Sequence, residues 1–320
     1  MLHRTMAVPR TGQGKRIHRF VYNCVRYRAL LLMLLPGVVV FLVNNYLPMA
    51  GVVIAFKKID YAVGILRSPW VGLQNFRFLF ATTDAWRITR NTICYNMLFI
   101  FCDVFFAVGM AVLMREIWTP MASKVYQTLI ILPNFLSMVV VAYLVYGFLH
   151  PELGFLNHVL ENLGMERVSW YNEPKYWPFI LPAVHWWKQL GYKSVVYLAA
   201  IAGLDKELYE AAVIDGAGKW QQAWYITIPQ LTPTMIIMFL LALGNIFRAD
   251  FGLFYQVTMN SAMLYEVTDV IDTYVYRALT TMNNVGMASA ASFYQSVVGA
   301  ITVIAANLVV RRIDASQALF

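Results

Sequence analysis

The chain has 320 residues, 60% of them hydrophobic and 13% charged, about half the charged share of an ordinary soluble protein. That composition excludes a typical soluble domain. Its long unbroken apolar runs exclude a barrel of alternating strands, which leaves membrane helices that pair their own backbone groups. The formal charge of +8 points to anionic lipid headgroups and to orientation, since nucleic-acid binding calls for a soluble fold with a basic face.

In chain order, the first 28 residues form a basic segment with Arg4, Arg10, Lys15, Arg16, Arg19, Arg26 and Arg28. The apolar run that follows is too long for the core of a cleavable signal peptide. Six spans of about 20 residues are expected, the length that crosses a bilayer core. They cover roughly 29–56, 91–114, 125–149, 176–201, 231–251 and 291–310. Pro36 and Pro48 interrupt the first, and Pro133 lies near the start of the third. The chain is thus read as an all-α integral membrane protein, with a spanning domain over 29–312 and a tail over 313–320.

Lysine and arginine in the flanking segments set the orientation. The basic N-terminus belongs in the cytoplasm, and six crossings return the C-terminus there beside Arg311 and Arg312. The loops around 150–175 and 252–290, acidic or neutral, then lie outside. The first loop, with Lys57, Lys58, Arg67, Arg77 and Arg87, runs against this rule. Three further features lie in the outside loops. Residues 60–90 mix Trp70, Phe76, Phe78, Phe80 and Trp86 with arginines, the composition of an interfacial helix. Trp170, Tyr171, Tyr176 and Trp177 form an aromatic belt. Residues 265–279 read as a short external helix. Cys24, Cys94 and Cys102 have neither metal-ligand spacing nor a disulfide pattern.

The fourth loop, 204–229, reads as two short helices and a tight turn. Asp205 can cap the first helix, residues 206–214 favour helix, and Asp215-Gly216 supplies the turn. Residues 219–225 can form the second, and Pro229 and Pro233 mark the entry to the fifth span. Gly218-Lys219 is not a phosphate-binding loop, because Trp220 stands where Ser or Thr is needed and Val213 where the first Gly is needed.

The spacing Glu210-Ala211-Ala212, Gly216, Ile226, Ile228-Pro229 resembles the EAA loop of binding-protein-dependent ABC importers, with Ile228 where that family prefers Leu. A plain helical hairpin over 205–233 would explain the triplet but not the whole spacing. Other stretches are similar to the carbohydrate branch, complex-saccharide permease type. They are Leu132-Pro133 with Ser137, Gly154 and Asn157, Gly191-Tyr192 with Tyr197-Leu198-Ala199, Thr268-Asp269-Val270-Ile271, and Tyr274-Val275-Tyr276-Arg277.

The resemblance implies a type I importer transmembrane domain in a bacterial inner membrane. It implies no cofactor on this chain, with ATP and Mg held by a dimer of a separate ATPase subunit. Glu210, Ala211, Ala212, Asp215, Gly216, Ile226 and Pro229 would form the loop that docks on that subunit. A second transmembrane subunit, a different chain in most of the family's sugar importers, and an extracytoplasmic solute-binding protein complete the assembly. The implied cargo is an oligosaccharide, an acidic one such as alginate.

Charged residues inside spans are functional candidates by default. His185, Trp186, Trp187, Lys188, Tyr192 and Lys193 in the fourth span, with Asn134 and Asn245, are candidates for the pathway: aromatic rings stack on sugars and cations attract carboxylates. Against this stands the bland reading, in which lysines snorkel and tryptophans pack. Asp103 lies mid-span without a partner nearby in sequence and suits either polar packing or proton coupling. A secondary transporter driven by an ion gradient is therefore the alternative, but it calls for inverted repeats and several intramembrane acids, which are not evident. A membrane-embedded enzyme would need clustered catalytic groups, and the five histidines are scattered.

Overall fold

The computed structural model describes residues 22–23, 25–77, 83–117 and 120–313. Most of the basic segment, Cys24, Phe78, Phe80 and the tail from 314 lie outside the described residues. Among the described residues the structure is helical, apart from one isolated bridge between Lys57 and Trp70. By packing, Met1–Ile54 and Ala55–Phe320 are separate units, taken in turn.

In the first unit, α1 (Arg28–Phe41) continues into a π-helical stretch, Leu42–Tyr46, and a 3-10 stretch, Leu47–Phe56. Pro48 has no N–H to continue the α ladder, and the Leu47 N–H reaches back to Leu42 instead. The amides of Asn44 and Asn45 bond the carbonyls of Val40 and Phe41 at 2.9 and 3.1 Å, which satisfies two polar side chains inside an apolar run.

In the second unit the long helices are α2 (Thr83–Arg115), α3 (Pro120–Ile131), α4 (Met138–Leu149), α5 (Phe155–Asn162) and α6 (Trp177–Ala202). They are followed by α7 (Lys206–Ile214), α8 (Lys219–Gln222), α9 (Ile228–Leu243), α10 (Ile271–Thr280) and α11 (Val285–Ile313). The second expected span begins earlier than the apolar run suggests, because Asp84 in the first turn and Arg115 in the last complement the helix dipole. The expected external helix near 265–279 is split at Asp269, whose backbone is extended, into Tyr265–Thr268 and α10.

Among the described residues, four single helices are long and apolar enough to cross a membrane, and five spans result if α3 and α4 count as one broken span. The third expected span is bent by 96° at that break. Pro133 sits in the 3-10 turn Leu132–Phe135, Leu136 is extended, and the Ser137 hydroxyl accepts from the Val140 N–H to start α4. The fifth differs from expectation at both ends. It runs continuously from Lys219 to Leu243, because π winding over Ala223–Thr227 absorbs the missing N–H of Pro229. It stops before Gly244 rather than near Phe251. Helix α6, expected as the fourth span, is 26 residues long but is not among the helices apolar enough. Its His185, Lys188, Lys193 and Ser194 have hydrogen-bond partners inside the protein.

Helices α2 and α6 form the spine, with two apolar cores along it. One gathers Tyr95, Phe99, Trp177, Leu181, Phe254 and Leu264; the other gathers Ala107, Ala111, Val112, Tyr197, Ala223 and Leu231. At one end of α2, Asn91 donates to the carbonyls of Glu266 and Asp269, and Asp269 pairs with Arg87 and Arg277. The 204–229 loop meets its other end, about 40 Å away by helix rise.

The segment after α4 is tied by one side chain. The Asn157 amide donates to the carbonyls of Pro151 and Val168 at 2.9 Å each, and its oxygen accepts from Val168 N–H and Trp170 Nε1 at 3.1 and 3.0 Å. Nearby, a hydrogen bond from Arg167 holds the Glu161 carboxyl below the usual range. Asn157→Ala should loosen this knot by about 2 kcal/mol, the scale of leaving buried partners unsatisfied. Limited trypsinolysis should then cut faster at Arg167 and Lys175, and unchanged cleavage would refute that role for Asn157.

Candidate functional site

The 204–229 loop folds as a capped helical hairpin. Asp205 caps α7 by accepting the Glu207 N–H. At the other end Gly216 takes φ +80°, the left-handed region that costs a side chain about 1–2 kcal/mol. There the Gly216 N–H bonds Val213 O at 3.0 Å and the Ala217 N–H bonds Ala212 O at 2.8 Å. This paired C-terminal cap gives the spacing between Ala212 and Gly216 a physical cause. Asp215 is the capping residue itself. Gln221 then accepts the Gly218 N–H at 2.7 Å to open α8.

Among its charged side chains the outer surface of the hairpin carries large exposed apolar ones. Ile214 is 86% exposed, and Val213, Trp220, Trp224 and Tyr225 are exposed as well. Glu210 and Ala211 are also exposed, while Ile226 and Ala212 are half-buried and Pro229 lies in the first turn of α9. On the inner side, Tyr209 and Thr227 are buried beside Arg115.

A second polar site lies between the two apolar cores. Asp103 on α2 faces α6, where His185 Nε2 lies 3.2 Å from both carboxylate oxygens and Lys193 pairs with Oδ2. Two acceptor oxygens before Nε2 require the hydrogen on that nitrogen. The His185 ring stacks on Phe99 at 4.0 Å. Asp103, unpartnered in sequence, is thus partnered twice in space. The sequence signal was its being a lone acid in one span while lone cations stood in another.

Lys188 is 6% exposed. Its ammonium donates to the carbonyls of Pro133, Asn134 and Leu136 at 3.4, 2.8 and 2.6 Å. All three donors are used at the break between α3 and α4, whose free carbonyls a cation complements. The structure thus brings Lys188 and Asn134 together, and His185 with Lys193. Trp186 packs edge-on to Phe106. Trp187 and Tyr192 are 48% and 57% exposed, and Asn245 is exposed just beyond α9. Arg115 and Thr227 carry no distinctive sequence signal: one ends a span, and the other is an ordinary loop hydroxyl.

Residues 103–315 match the family described as the binding-protein-dependent transport system inner membrane component. The chain is 34% identical to the polygalacturonan/rhamnogalacturonan transport system permease protein YteP of Bacillus subtilis (strain 168), over 92% of this chain and 91% of that protein. It is 32% identical to protein LplB of the same organism, over 90% of each. A solved structure, a bacterial ABC transporter involved in the import of the acidic polysaccharide alginate, is 33% identical. It superposes with a TM-score of 0.83, covering 92% of this chain and 99% of that one. A second structure of a bacterial alginate ABC transporter, in complex with an alginate pentasaccharide-bound periplasmic protein, matches with the same TM-score and identity.

Proposed function

Because the chain belongs to the binding-protein-dependent transport system inner membrane components, we propose that it is the six-span permease subunit of an ATP-driven oligosaccharide importer, fuelled by ATP and Mg on a separate ATPase dimer. The observation that carries this reading is the capped hairpin over 204–229, with the exposed apolar side chains of Val213, Ile214 and Trp220. A chain alone gains nothing by exposing such a patch, whereas an ATPase cleft buries it. The hairpin and the 265–280 segment meet opposite ends of α2, which supports the hairpin facing the cytoplasm and 265–280 facing a solute-binding protein outside. Both termini then lie in the cytoplasm. A second, different permease chain completes the pathway.

The cargo we propose is an acidic oligosaccharide, by likeness to the polygalacturonan/rhamnogalacturonan permease YteP and to the transporter that imports the acidic polysaccharide alginate. Trp187, Tyr192 and Asn245, being exposed, are the candidates for direct sugar contact. Asn134, His185, Trp186, Lys188 and Lys193 would shape the path through the contacts described above. An ion-gradient mechanism needs an available acid in the membrane, and Asp103 already has two partners, which favours the ATP-driven reading.

The test is purification of the tagged chain, co-expressed with its adjacent genes, in the native form and as Gly216→Val. An ABC-type ATPase should accompany the native chain. In the variant, strain at the left-handed position of about 1–2 kcal/mol should loosen the hairpin and cut ATPase recovery several-fold. A native chain that purifies without an ATPase, or that takes up oligosaccharide only under an ion gradient, would sink the proposal.

A further inference from the structure

The chain itself joins the 204–229 hairpin to the membrane bundle at both ends, to α6 through residues 203–205 and to α9, and a third link is made by side chains. Helix α8 runs through the π turn into α9 as one rod from Lys219 to Leu243. No such covalent continuity links the hairpin to α2. That link is made by the last residues of α2. The Arg115 guanidinium lies 3.6 Å from the centre of the Tyr209 ring on α7, well inside the range for a cation over an aromatic face. The same guanidinium donates to the Thr227 hydroxyl at 3.1 Å. Thr227 Oγ1 is also 3.1 Å from the Tyr209 hydroxyl and 3.4 Å from the Gln222 carbonyl.

A hydroxyl has one hydrogen to give and two lone pairs. All three contacts are satisfied together when Thr227 gives its hydrogen to Gln222 O, the Tyr209 hydroxyl donates to Thr227, and Arg115 fills the second lone pair. Thr227 is 0% exposed, so water does not compete at this point. The next residue, Glu116, pairs with Lys219 at 3.1 Å. Consecutive residues at the end of α2 therefore hold both helices of the hairpin, one by a buried joint and one by a surface ion pair. Behind the joint, Ala223 packs with Ala111 and Val112.

We propose that Arg115 is a positioning residue that locks α7 and the π turn to the end of α2, so that the hairpin and the second span move as one body. The proposal rests on the reading of the hairpin as the ATPase-docking element. It adds a second output for that element: a push on the hairpin reaches α9 through the continuous rod and α2 through Arg115. Because α2 carries Asp103, the push also arrives at the polar layer between the two cores.

The test uses the assembled transporter, with the three cysteines of this chain replaced by serine. Spin labels are placed on Lys206→Cys in α7 and Leu113→Cys in α2, both exposed and neither on the apolar docking patch. Their separation is measured by electron double resonance without nucleotide and after trapping with ATP, Mg and vanadate. With Arg115 present, one narrow distance should persist in both states. With Arg115→Met, and the ATPase subunit still bound, the distribution should broaden and gain a second distance on trapping.

If Arg115→Met does not fold, Tyr209→Leu combined with Thr227→Val removes both the ring and the hydroxyls that Arg115 grips. It should give the same broadening. An unchanged narrow distance in either variant overturns the joint while leaving the docking reading intact. A native distance that itself changes on trapping overturns it as well. Absence of any ATPase from the unaltered chain removes the premise and the proposal together.

Discussion

Gly191→Ala should destabilise the protein by about 3 kcal/mol or more, at the upper end of what overpacking costs. A Cβ built at Gly191 would lie 2.1 Å from the Ile130 carbonyl oxygen and 2.4 Å from its carbon. Those atoms are backbone and cannot swing aside, so α6 and α3 would have to separate. Small residues serve this close approach in membrane proteins, where the association of helices depends on packing. In detergent, Gly191→Ala should lose most of the monodisperse peak in fluorescence-detected size exclusion and melt well below the native chain. Gly109, with open space around it, is the control, and Gly109→Ala should behave as native. If Gly191→Ala melts with the native protein, the α3–α6 approach described here is wrong.

The second large effect concerns the polar layer. Lys193→Met should cost about 3 kcal/mol, the scale for leaving one member of a buried ion pair without its partner. It strands the Asp103 carboxylate between two apolar cores, with only the His185 ring to answer it. Asp103→Asn should cost less, because Lys193 is partly exposed and can turn its ammonium toward water. The double variant should therefore be more stable than Lys193→Met alone. Melting temperatures of the four proteins in one detergent provide the cycle. Strict additivity of the two single effects would show that the pair is not coupled.

Much of the fold was legible in the sequence because the bilayer imposes a coarse and strict requirement. Apolar runs must be helical, and their length must match the membrane. This is why the run at 91–114 was readable to within a residue of where the observed helix Thr83–Arg115 ends. The break in the third span was harder to place. Pro133 was visible, but the 96° bend depends on Lys188 meeting three carbonyls 52 to 55 positions away. A proline says where a helix can break, and only its neighbours decide whether it does. The fifth span shows the converse: two prolines read as an entry point, yet the helix passes through them, because a π turn takes up the lost hydrogen bond.

By itself the sequence determined the helical membrane class, the hairpin at 204–229 and its glycine turn. Each rests on neighbours in the chain: on hydrophobic run length, on an Asp cap, and on a left-handed position that only Gly adopts without strain. The tertiary structure alone decided the pairing of Asp103 with His185 and Lys193, the capping of the broken span by Lys188, and the grip of Arg115 on Tyr209 and Thr227. Each of these joins residues 50 to more than 100 positions apart. A charge in an apolar run announces that a partner must exist, because leaving it bare is too costly. Which residue fills that role depends on which helix faces which, and that is settled by packing, through contacts as close as Gly191 against Ile130.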